Sequence, residues 1–404
     1  MDLTALRSPL DPARTQDPQR FAMAGVAPRL AVRPESSDEV VEVVLACGAD
    51  QLALLPWGGG IALSRENAPL RYDVALDMTG LSRVVEHEPD DFTITAECGA
   101  RVQDLATRLA THGQELPLEA AEHWGATLGG VLAANASGPR RRRFGAPRDR
   151  ILGARFVTGD GVLARTGGRV VKNVAGHAVH RLLVGSRGSL GVILEASLKL
   201  LPMPLARRAL VYGMSATELT DAARWQGFGR REPALLTVIG RAVAALNPVL
   251  ASEAAFAAVV GFEDEAAWVQ ACGDFTRERL GAPRLQMQDA SVAALTQMLT
   301  DSEEMPGPRL SFATASDSPA CLAPLLSHAV AERLVFHAPS GRLHLFPAAP
   351  EAYPLVTLLA RHGFVLLEAR GVELDPPPPH PATSALRARL RTALDPTGVF
   401  AQQR

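Results

Sequence analysis

ATLGGVLAANASGPRRRRFGAPRD, residues Ala126–Asp149, is followed by a Thr158-Gly159-Asp160-Gly161 turn and then by GGRVVKNVAGHAVHRLLVGSRGSLGVILEASLKLLP, residues Gly167–Pro202. The stretch is dense in glycine and small residues and poor in acidic ones. Glycine lets a backbone approach a ligand closely and take positive φ. Rows of free backbone N–H groups make nests for phosphate oxygens. Set between apolar segments that read as strands, this composition points to a long slot for a large anionic cofactor. A series of glycine turns in a β-rich domain fits the same spacing.

Working outward, Leu30–Pro34 reads as a strand, and Ser36 with Glu39 forms a capping box that opens a helix through Ala49. Leu52–Leu55 is a short buried strand that runs through Pro56 into Trp57-Gly58-Gly59-Gly60. This is a β-α-β unit with its glycines after the second strand. A Rossmann fingerprint follows the first strand and opens a helix, and no helical pattern follows Gly60, so that fold is excluded. Arg83–Glu88 and Phe92–Ala96 form a hairpin around Pro89-Asp90-Asp91, and Arg101–His112 has helical periodicity. Ile151–Val157 and Val162–Arg165 form a second hairpin at Gly159-Asp160-Gly161, and Gly191–Leu200 alternates as a strand. Beyond Ala206 the glycine motifs end, and helices such as Ser215–Gln226 alternate with apolar strands. Asp375–Pro379 is a stiff connector to a Ser384-capped, Arg-rich helix through Leu394.

With 404 residues the chain can hold two or three domains with sizeable cores, and its net charge of −2 argues against a general nucleic-acid or membrane-surface binder. The Arg140–Arg143 run reads as a solvated basic loop, or as a group near a cofactor or partner subunit. Cys47, Cys98, Cys272 and Cys321 form no CxxC, which excludes a disulfide framework, a zinc site or an iron–sulfur cluster of the chain's own. The first twenty residues lack an apolar signal core, and no apolar run reaches membrane-spanning length. The expected setting is cytoplasmic, at most peripheral to the inner membrane through partner subunits.

The NASGPRR, RFGAPRD, GGRVVKNVAG and GSRGSLGVI segments, in that order, resemble the FAD-binding domain of the vanillyl-alcohol-oxidase/PCMH superfamily. Within it they are most similar to the E-type FAD-binding subunits of bacterial glycolate oxidases. The resemblance runs from about Leu30 to Pro202 and returns near the C-terminus. It implies an α+β fold: a two-subdomain PCMH-type FAD-binding domain at 22–204 (subdomains 22–112 and 113–204) and a smaller α+β cap or substrate domain at 205–345. Residues 346–404 form a segment whose helix returns to the FAD domain. By the same resemblance, Pro56, Trp57, Gly58, Gly59, Gly60 and Ile61 make the first FAD loop, whose amides hold the pyrophosphate. Thr127, Gly129, Gly130, Ala134, Ser137 and Gly138 line the flavin and pyrophosphate, and Gly188, Gly191, Val192 and Ile193 press backbone against the flavin. Ile61 stands where the family commonly has a hydroxyl residue. No histidine lies between Leu55 and Asn67, so FAD is expected to be non-covalent.

The implied activity is FAD-dependent oxidation of a CH–OH group in glycolate or a related 2-hydroxy acid. It would take place in a hetero-complex with a sister D-type flavoprotein subunit and an iron–sulfur subunit. The alternatives are a non-catalytic flavin-fold assembly subunit and a stand-alone D-2-hydroxyacid dehydrogenase. Several departures bear on that choice. Ala175-Gly176-His177-Ala178-Val179 stands where the family reads Ala-Gly-Tyr-Asp-Leu, making His177 a surface substitute or a proton-handling group. His337-Ala338-Pro339-Ser340-Gly341-Arg342-Leu343-His344 keeps both ends of the related dehydrogenases' metal-binding His signature and loses its Asp and Asn. His337, His344 and Glu368 are candidate ligands of a set too poor to predict a metal. Asp395–Phe400 resembles the family's closing turn without the Asn-Pro-Gly that follows it, which implies weaker flavin affinity.

Overall fold

The computed structural model describes residues 14–23, 25–63, 71–120, 125–168, 177–303, 307–348, 351–372, 374 and 381–401. The connector expected at Asp375–Pro379 and the segment 169–176 lie outside the described residues. The chain divides into two compact units. The first comprises Met1–Ala136, Ala146–Met203 and Pro377–Arg404; the second comprises Ser137–Gly145 and Pro204–Pro376.

The first unit opens with β1 (Thr15–Gln16), β2 (Leu30–Val32), β3 (Leu54–Trp57) and β4 (Val74–Asp77), which form a sheet in the order β1-β2-β4-β3. Strands β2 and β3 both run parallel to β4. The parallel arrangement follows from the crossover helix Ser37–Ala49. It buries Val40, Val43, Val44 and Cys47, one face at helical spacing, against Leu30, Val32, Leu54 and Leu76. Ser36 caps this helix by accepting from the Glu39 amide. Glu39 returns its carboxylate to the Glu35 amide, one residue earlier than a capping box requires. The second strand lies two residues later than the apolar run Leu52–Leu55 predicts, because its pairing with β4 extends through Trp57.

The next strands are β5 (Val84–Glu88), β6 (Thr93–Glu97), β7 (Gln114–Glu115), β8 (Ile151–Val157), β9 (Leu163–Gly167), β10 (Val192–Lys199) and β11 (Leu201–Pro202). Strands β7 and β11 pair with each other; the others form an antiparallel sheet in the order β5-β6-β10-β8-β9. Both predicted hairpins are present in it. The helix Val102–Ala110 packs Val102, Leu105 and Leu109 into its core.

The chain end closes this unit. The helix Pro381–Leu394 begins three residues before the predicted Ser384 cap. After it, the Leu54 amide donates to the Val399 carbonyl at 2.8 Å, and the Ala401 amide donates to the Leu54 carbonyl at 2.8 Å. Asp395, 4% exposed, makes the turn: its Oδ1 accepts from the Val399 amide at 2.9 Å and its Oδ2 from the Phe400 amide at 3.1 Å. The Asp-Pro-Thr-Gly turn therefore works without Asn-Pro-Gly. Asp395→Ala leaves two buried amides unpaired and is expected to cost about 2–3 kcal/mol. Thermal unfolding should show this as a drop of roughly 5–10 °C.

The second unit holds β12 (Ala206–Met214), β13 (Leu235–Gly240), β14 (Phe256–Asp264), β15 (Leu285–Gln288), β16 (Arg309–Ala313), β17 (Leu334–His337), β18 (Arg342–Leu345) and β19 (Val365–Arg370). They form one antiparallel sheet in the order β15-β12-β14-β13-β17-β18-β16-β19. The helices Ala266–Leu280 and Ala352–Arg361 join one core cluster, and the helix Ala290–Ser302 joins another. The helix expected over Ser215–Gln226 is broken at Asp221, which ends the Ser215-capped turn and caps a short 3-10 segment.

Two boundaries differ from the expectation. Residues 346–376 belong to the second unit, because β19 completes its sheet; only Pro377–Arg404 belongs with the first. Ser137–Gly145 also belongs to the second unit rather than to the glycine-rich domain around it. The charges of the arginine run explain this: Arg140 pairs with the buried Glu263 at 3.0 Å, Arg143 pairs with Asp264, and Arg142 donates to the Pro339 carbonyl at 3.4 Å. Two of the four arginines are thus in ion pairs within the second unit, Arg141 donates to Ser137 Oγ, and Arg142 stays exposed.

Candidate functional site

Three of the glycine strings meet in the first unit. After β3, Gly58 lies so close to Thr127 that a Cβ on it would stand 2.1 Å from Thr127 Oγ1, and a Cβ on Gly59 would stand 2.4 Å from the Gly125 carbonyl oxygen. Gly60 turns the chain at φ +76°. Thr127 caps the helix Leu128–Ala134 by accepting from the Gly130 amide at 3.3 Å. The Gly129 amide bonds the Cys98 carbonyl at 2.7 Å. Gly188, at φ +78°, faces Pro56, with its Cβ position 3.2 Å from Pro56 Cδ. A Cβ on Gly191 would stand 3.0 Å from the Val157 carbonyl oxygen, just before Val192 and Ile193 enter β10. Ile61 packs its side chain against the second sheet's core. Ala134 ends the helix Leu128–Ala134, whereas Ser137 and Gly138 lie in the second unit, where Ser137 Oγ accepts from Arg141 at 2.6 Å.

The second and third strings are stitched together: the Gly185 amide donates to the Leu132 carbonyl and the Arg187 amide to the Ala133 carbonyl. At this seam the structure adds two residues that sequence reading missed. Asn135, in the left-handed region at φ 50°, buries its Oδ1 without a partner, and Ser186 does the same with its Oγ. Buried polar atoms are rarely left unpaired, so two of them between glycine-lined walls mark a place for a polar ligand. The Asn of NASG and the Ser of GSRG were visible in the sequence, but nothing there said that they would be buried.

A cleft of about 680 Å³ opens beside Gly58 and Gly59, at the carboxyl ends of β2, β3 and β4, where open α/β sheets take their ligands. Arg20, Arg33, Arg101 and Arg108 border it against Asp77 and Asp104, which leaves it positive in charge. His177 is exposed, whereas His180 beside it is buried, and burial lowers the His180 pKa.

The His signature lies within the second unit. Thr237 on β13 pairs with His337 on β17; His337 pairs with Arg342 on β18; Ser311 on β16 pairs with His344 on β18 and Glu368 on β19. Directly opposed residues share a face, so all of these side chains project from one side of the sheet. Both histidines aim Nε2 at Glu303, the residue that ends the helix Ala290–Ser302. The distances are 2.9 Å from His337 to Oε1 and 3.2 Å from His344 to Oε2. Their Nδ1 atoms lie 2.9 Å from Thr237 Oγ1 and 2.9 Å from Ser311 Oγ.

Burial pushes the Glu303 carboxyl up, and the charge and hydrogen bonds of His344 and His337 outweigh it, leaving the pKa well below the usual carboxylate range. Burial lowers the His344 pKa despite Glu303. The geometry makes an ionised Glu303 the acceptor of both Nε2–H groups, with the Thr237 and Ser311 hydroxyls bonded to Nδ1.

The third acid at the histidines is therefore Glu303 and not Glu368. Glu368 is held by Arg309 at 2.9 Å and by Arg370 at 3.1 Å. Sequence spacing gave no sign of Glu303, which precedes the signature by 34 residues and arrives from a helix. The two Nε2 atoms and a Glu303 oxygen lie within 4.8 Å of one another, a donor set of the right kind for a cation. The surrounding charge is of the wrong kind. Arg141, Arg309, Arg342 and Arg370 outnumber Glu303 and Glu368 around it, and Arg342 replaces the signature's neutral Asn. A divalent metal does not fit this setting.

Residues 28–167 match a family model described as an FAD binding domain. The chain is 42% identical over 154 residues to glycolate oxidase subunit GlcE of Escherichia coli (strain K12), covering 37% of this chain and 44% of that protein. It is 29% identical over 196 residues to glycolate oxidase subunit GlcD of Bacillus subtilis (strain 168), covering 48% and 41%. It is 30% identical over 184 residues to the mitochondrial cytochrome-type D-lactate dehydrogenase of Arabidopsis thaliana, covering 46% and 32%. The chain thus spans less than half the length of each of these relatives. A solved alkyldihydroxyacetonephosphate synthase shares the fold, with a TM-score of 0.72 at 17% identity over 98% of this chain and 83% of that one. Among the described residues, no helix is long and apolar enough to cross a membrane.

Proposed function

An FAD-binding domain of the vanillyl-alcohol-oxidase/PCMH superfamily makes up residues 28–167 of this chain, and from that premise we propose that the chain is a flavoprotein subunit in the oxidation of glycolate or a related 2-hydroxy acid. The observation that carries the proposal is the pair of orphaned buried atoms, Asn135 Oδ1 and Ser186 Oγ, at the seam of glycine-lined walls. FAD fits there by the chemistry of the donors. The backbone N–H groups of Gly58–Gly60 would hold its diphosphate, and the Asn135 amide oxygen and Ser186 hydroxyl would meet its polar groups. The loop offers no histidine, so attachment is non-covalent.

FAD, when bound, supplies the acceptor for the hydride that leaves the alcohol carbon. The chain's own residues bind and orient. The Gly58–Gly60 loop and the Gly188–Ile193 segment would hold the cofactor by backbone. The Glu303–His337–His344 set is bonded to itself and to hydroxyls, so it positions β17 and β18 rather than moving protons. His177, exposed on the first unit, takes no catalytic role. The resemblance to GlcE and GlcD supports a place beside a sister flavoprotein subunit, with an iron–sulfur partner carrying electrons onward, since no cysteine motif for a cluster exists in this chain.

Ser186→Ala tests the cofactor site. Removing an orphaned buried hydroxyl is expected to leave the FAD-free protein as stable as before, or slightly more so, while weakening FAD binding about 5-fold. Flavin fluorescence titration reads the affinity and thermal unfolding the stability.

A second reading, a non-catalytic assembly subunit, is favoured by the self-satisfied His signature. The purified chain mixed with FAD, a redox dye and glycolate or D-lactate separates the readings. A subunit of a complex is yellow but reduces dye only with its partners added. An assembly subunit is yellow and adds no turnover when the partners are present, and a stand-alone dehydrogenase reduces dye by itself.

A further inference from the structure

We propose that Arg342 is a carboxylate receptor: its guanidinium binds the carboxylate of a small anionic 2-hydroxy acid, in the position where a metal-binding signature would use a cation. The identity of the acid rests on the proposed function; the anion site does not.

Arg342 opens β18 directly opposite His337, on the sheet face that carries Thr237, His344 and Ser311. It is half-buried, and among the described residues no hydrogen bond or ion pair holds its guanidinium. Its surroundings make that unusual. Glu303 is spoken for by two histidines, and Glu368 by Arg309 and Arg370. The nearby carboxylates that could neutralise Arg342 are thus committed elsewhere, while Arg141 and Arg309 add like charge.

A half-buried guanidinium with its donors unused, among further cations, is a ready anion site. Arginine presents a planar fork that matches a carboxylate bidentately. Burial and the charge of Arg141 oppose the cation in the ligand-free protein, and an incoming carboxylate removes that penalty. The same geometry explains the loss of the signature's Asp and Asn. A ligand shell built for a metal needs neutral or acidic donors, and here the fixed charge of arginine takes over the anchoring of the carboxylate. Glu303 then serves as a positioning residue, locking the histidines that flank Arg342 in sequence.

The probe is oxalate, a small dicarboxylate, titrated by calorimetry into the full chain with and without added FAD, and read in parallel for Arg342→Gln and Arg342→Lys. Wild type is expected to bind oxalate in the presence of EDTA. Arg342→Gln is expected to lose affinity on the order of 10- to 100-fold, with an unchanged unfolding profile and unchanged FAD affinity. Arg342→Lys, which keeps the charge without the fork, should fall between the two. The proposal is overturned if Arg342→Gln binds oxalate like wild type, or if wild type binds none at millimolar concentration. It is also overturned if EDTA abolishes binding and Mn2+ restores it, because the receptor would then be a metal. Failure to load FAD or to turn over glycolate counts against the proposed function and leaves this titration interpretable.

Discussion

A Gly59→Val protein is expected to purify without flavin and to bind added FAD roughly 100-fold more weakly than wild type, a loss of about 3 kcal/mol. The reason is local and severe. A Cβ at Gly59 would lie 2.4 Å from the Gly125 carbonyl oxygen and 3.0 Å from its carbon, and both are backbone. No rotamer relieves a clash with backbone, so the first glycine loop and the Gly125–Thr127 segment must move apart. Those are two of the walls proposed to hold the cofactor. Flavin absorbance of the purified protein and fluorescence titration check the outcome, with far-UV circular dichroism as the control for folding. Gly363→Ala is the comparison: it replaces a glycine at φ +80°, but the added Cβ meets nothing within 4 Å. It should lose a little stability and no FAD affinity.

Glu303→Gln is expected to have the largest effect on stability. Glu303 is the charged acceptor for two buried Nε2–H groups, and an amide has one oxygen to offer them. One histidine would then face an N–H donor with no bond to make. Breaking one side of a buried charged network costs about 3–5 kcal/mol, which should lower the melting temperature of the second unit by roughly 10 °C. Because the chain has two units, unfolding is best followed by a probe within the second, such as Trp225 or Trp268 fluorescence in a background lacking Trp57 and Trp124.

The same residue sets a pH dependence. Its pKa is depressed in the folded state relative to an ordinary value of 4.5. Its contribution is therefore fully present above about pH 4.5 and is lost as pH falls below that value toward the folded pKa. Wild type should lose stability on acidification through this range, and Glu303→Gln should show a flatter profile there. Equal slopes would mean that Glu303 is not the ionised centre of the cluster.

Much of the first unit was legible because its elements are local. Val40, Val43, Val44 and Cys47 mark a helix face, the 89–91 and 159–161 turns mark hairpins, and the glycine strings lie in order. What the sequence could not show was how the strings close on one another. The narrow spaces at Gly58 and Gly59, and the burial of Asn135 Oδ1 and Ser186 Oγ, arise from segments that are 66 to 69 residues apart or that meet only through the tertiary fold.

The second unit was legible only as a class. Its sheet order jumps from β13 to β17 and from β18 to β16, and no periodicity encodes that. The consequence was sharpest at the His signature. Spacing put His337 and His344 in register, yet the acid between them comes from the end of a helix, and Glu368 is taken up by two arginines. The arginine run 140–143 misled for a related reason: a charge run reads as solvated until its partners, Glu263 and Asp264, are seen on a neighbouring strand.

The central claim is that this chain holds FAD at the seam joining Gly58–Gly60, Asn135 and Ser186. The most direct test is titration of FAD against the flavin-free full chain, with flavin fluorescence followed to saturation, for wild type and Ser186→Ala side by side. The account predicts saturable binding of one FAD per chain, released intact by denaturation, and about 5-fold weaker for Ser186→Ala. Flavin fluorescence that stays unchanged at every protein concentration, or an affinity indifferent to Ser186, would contradict it.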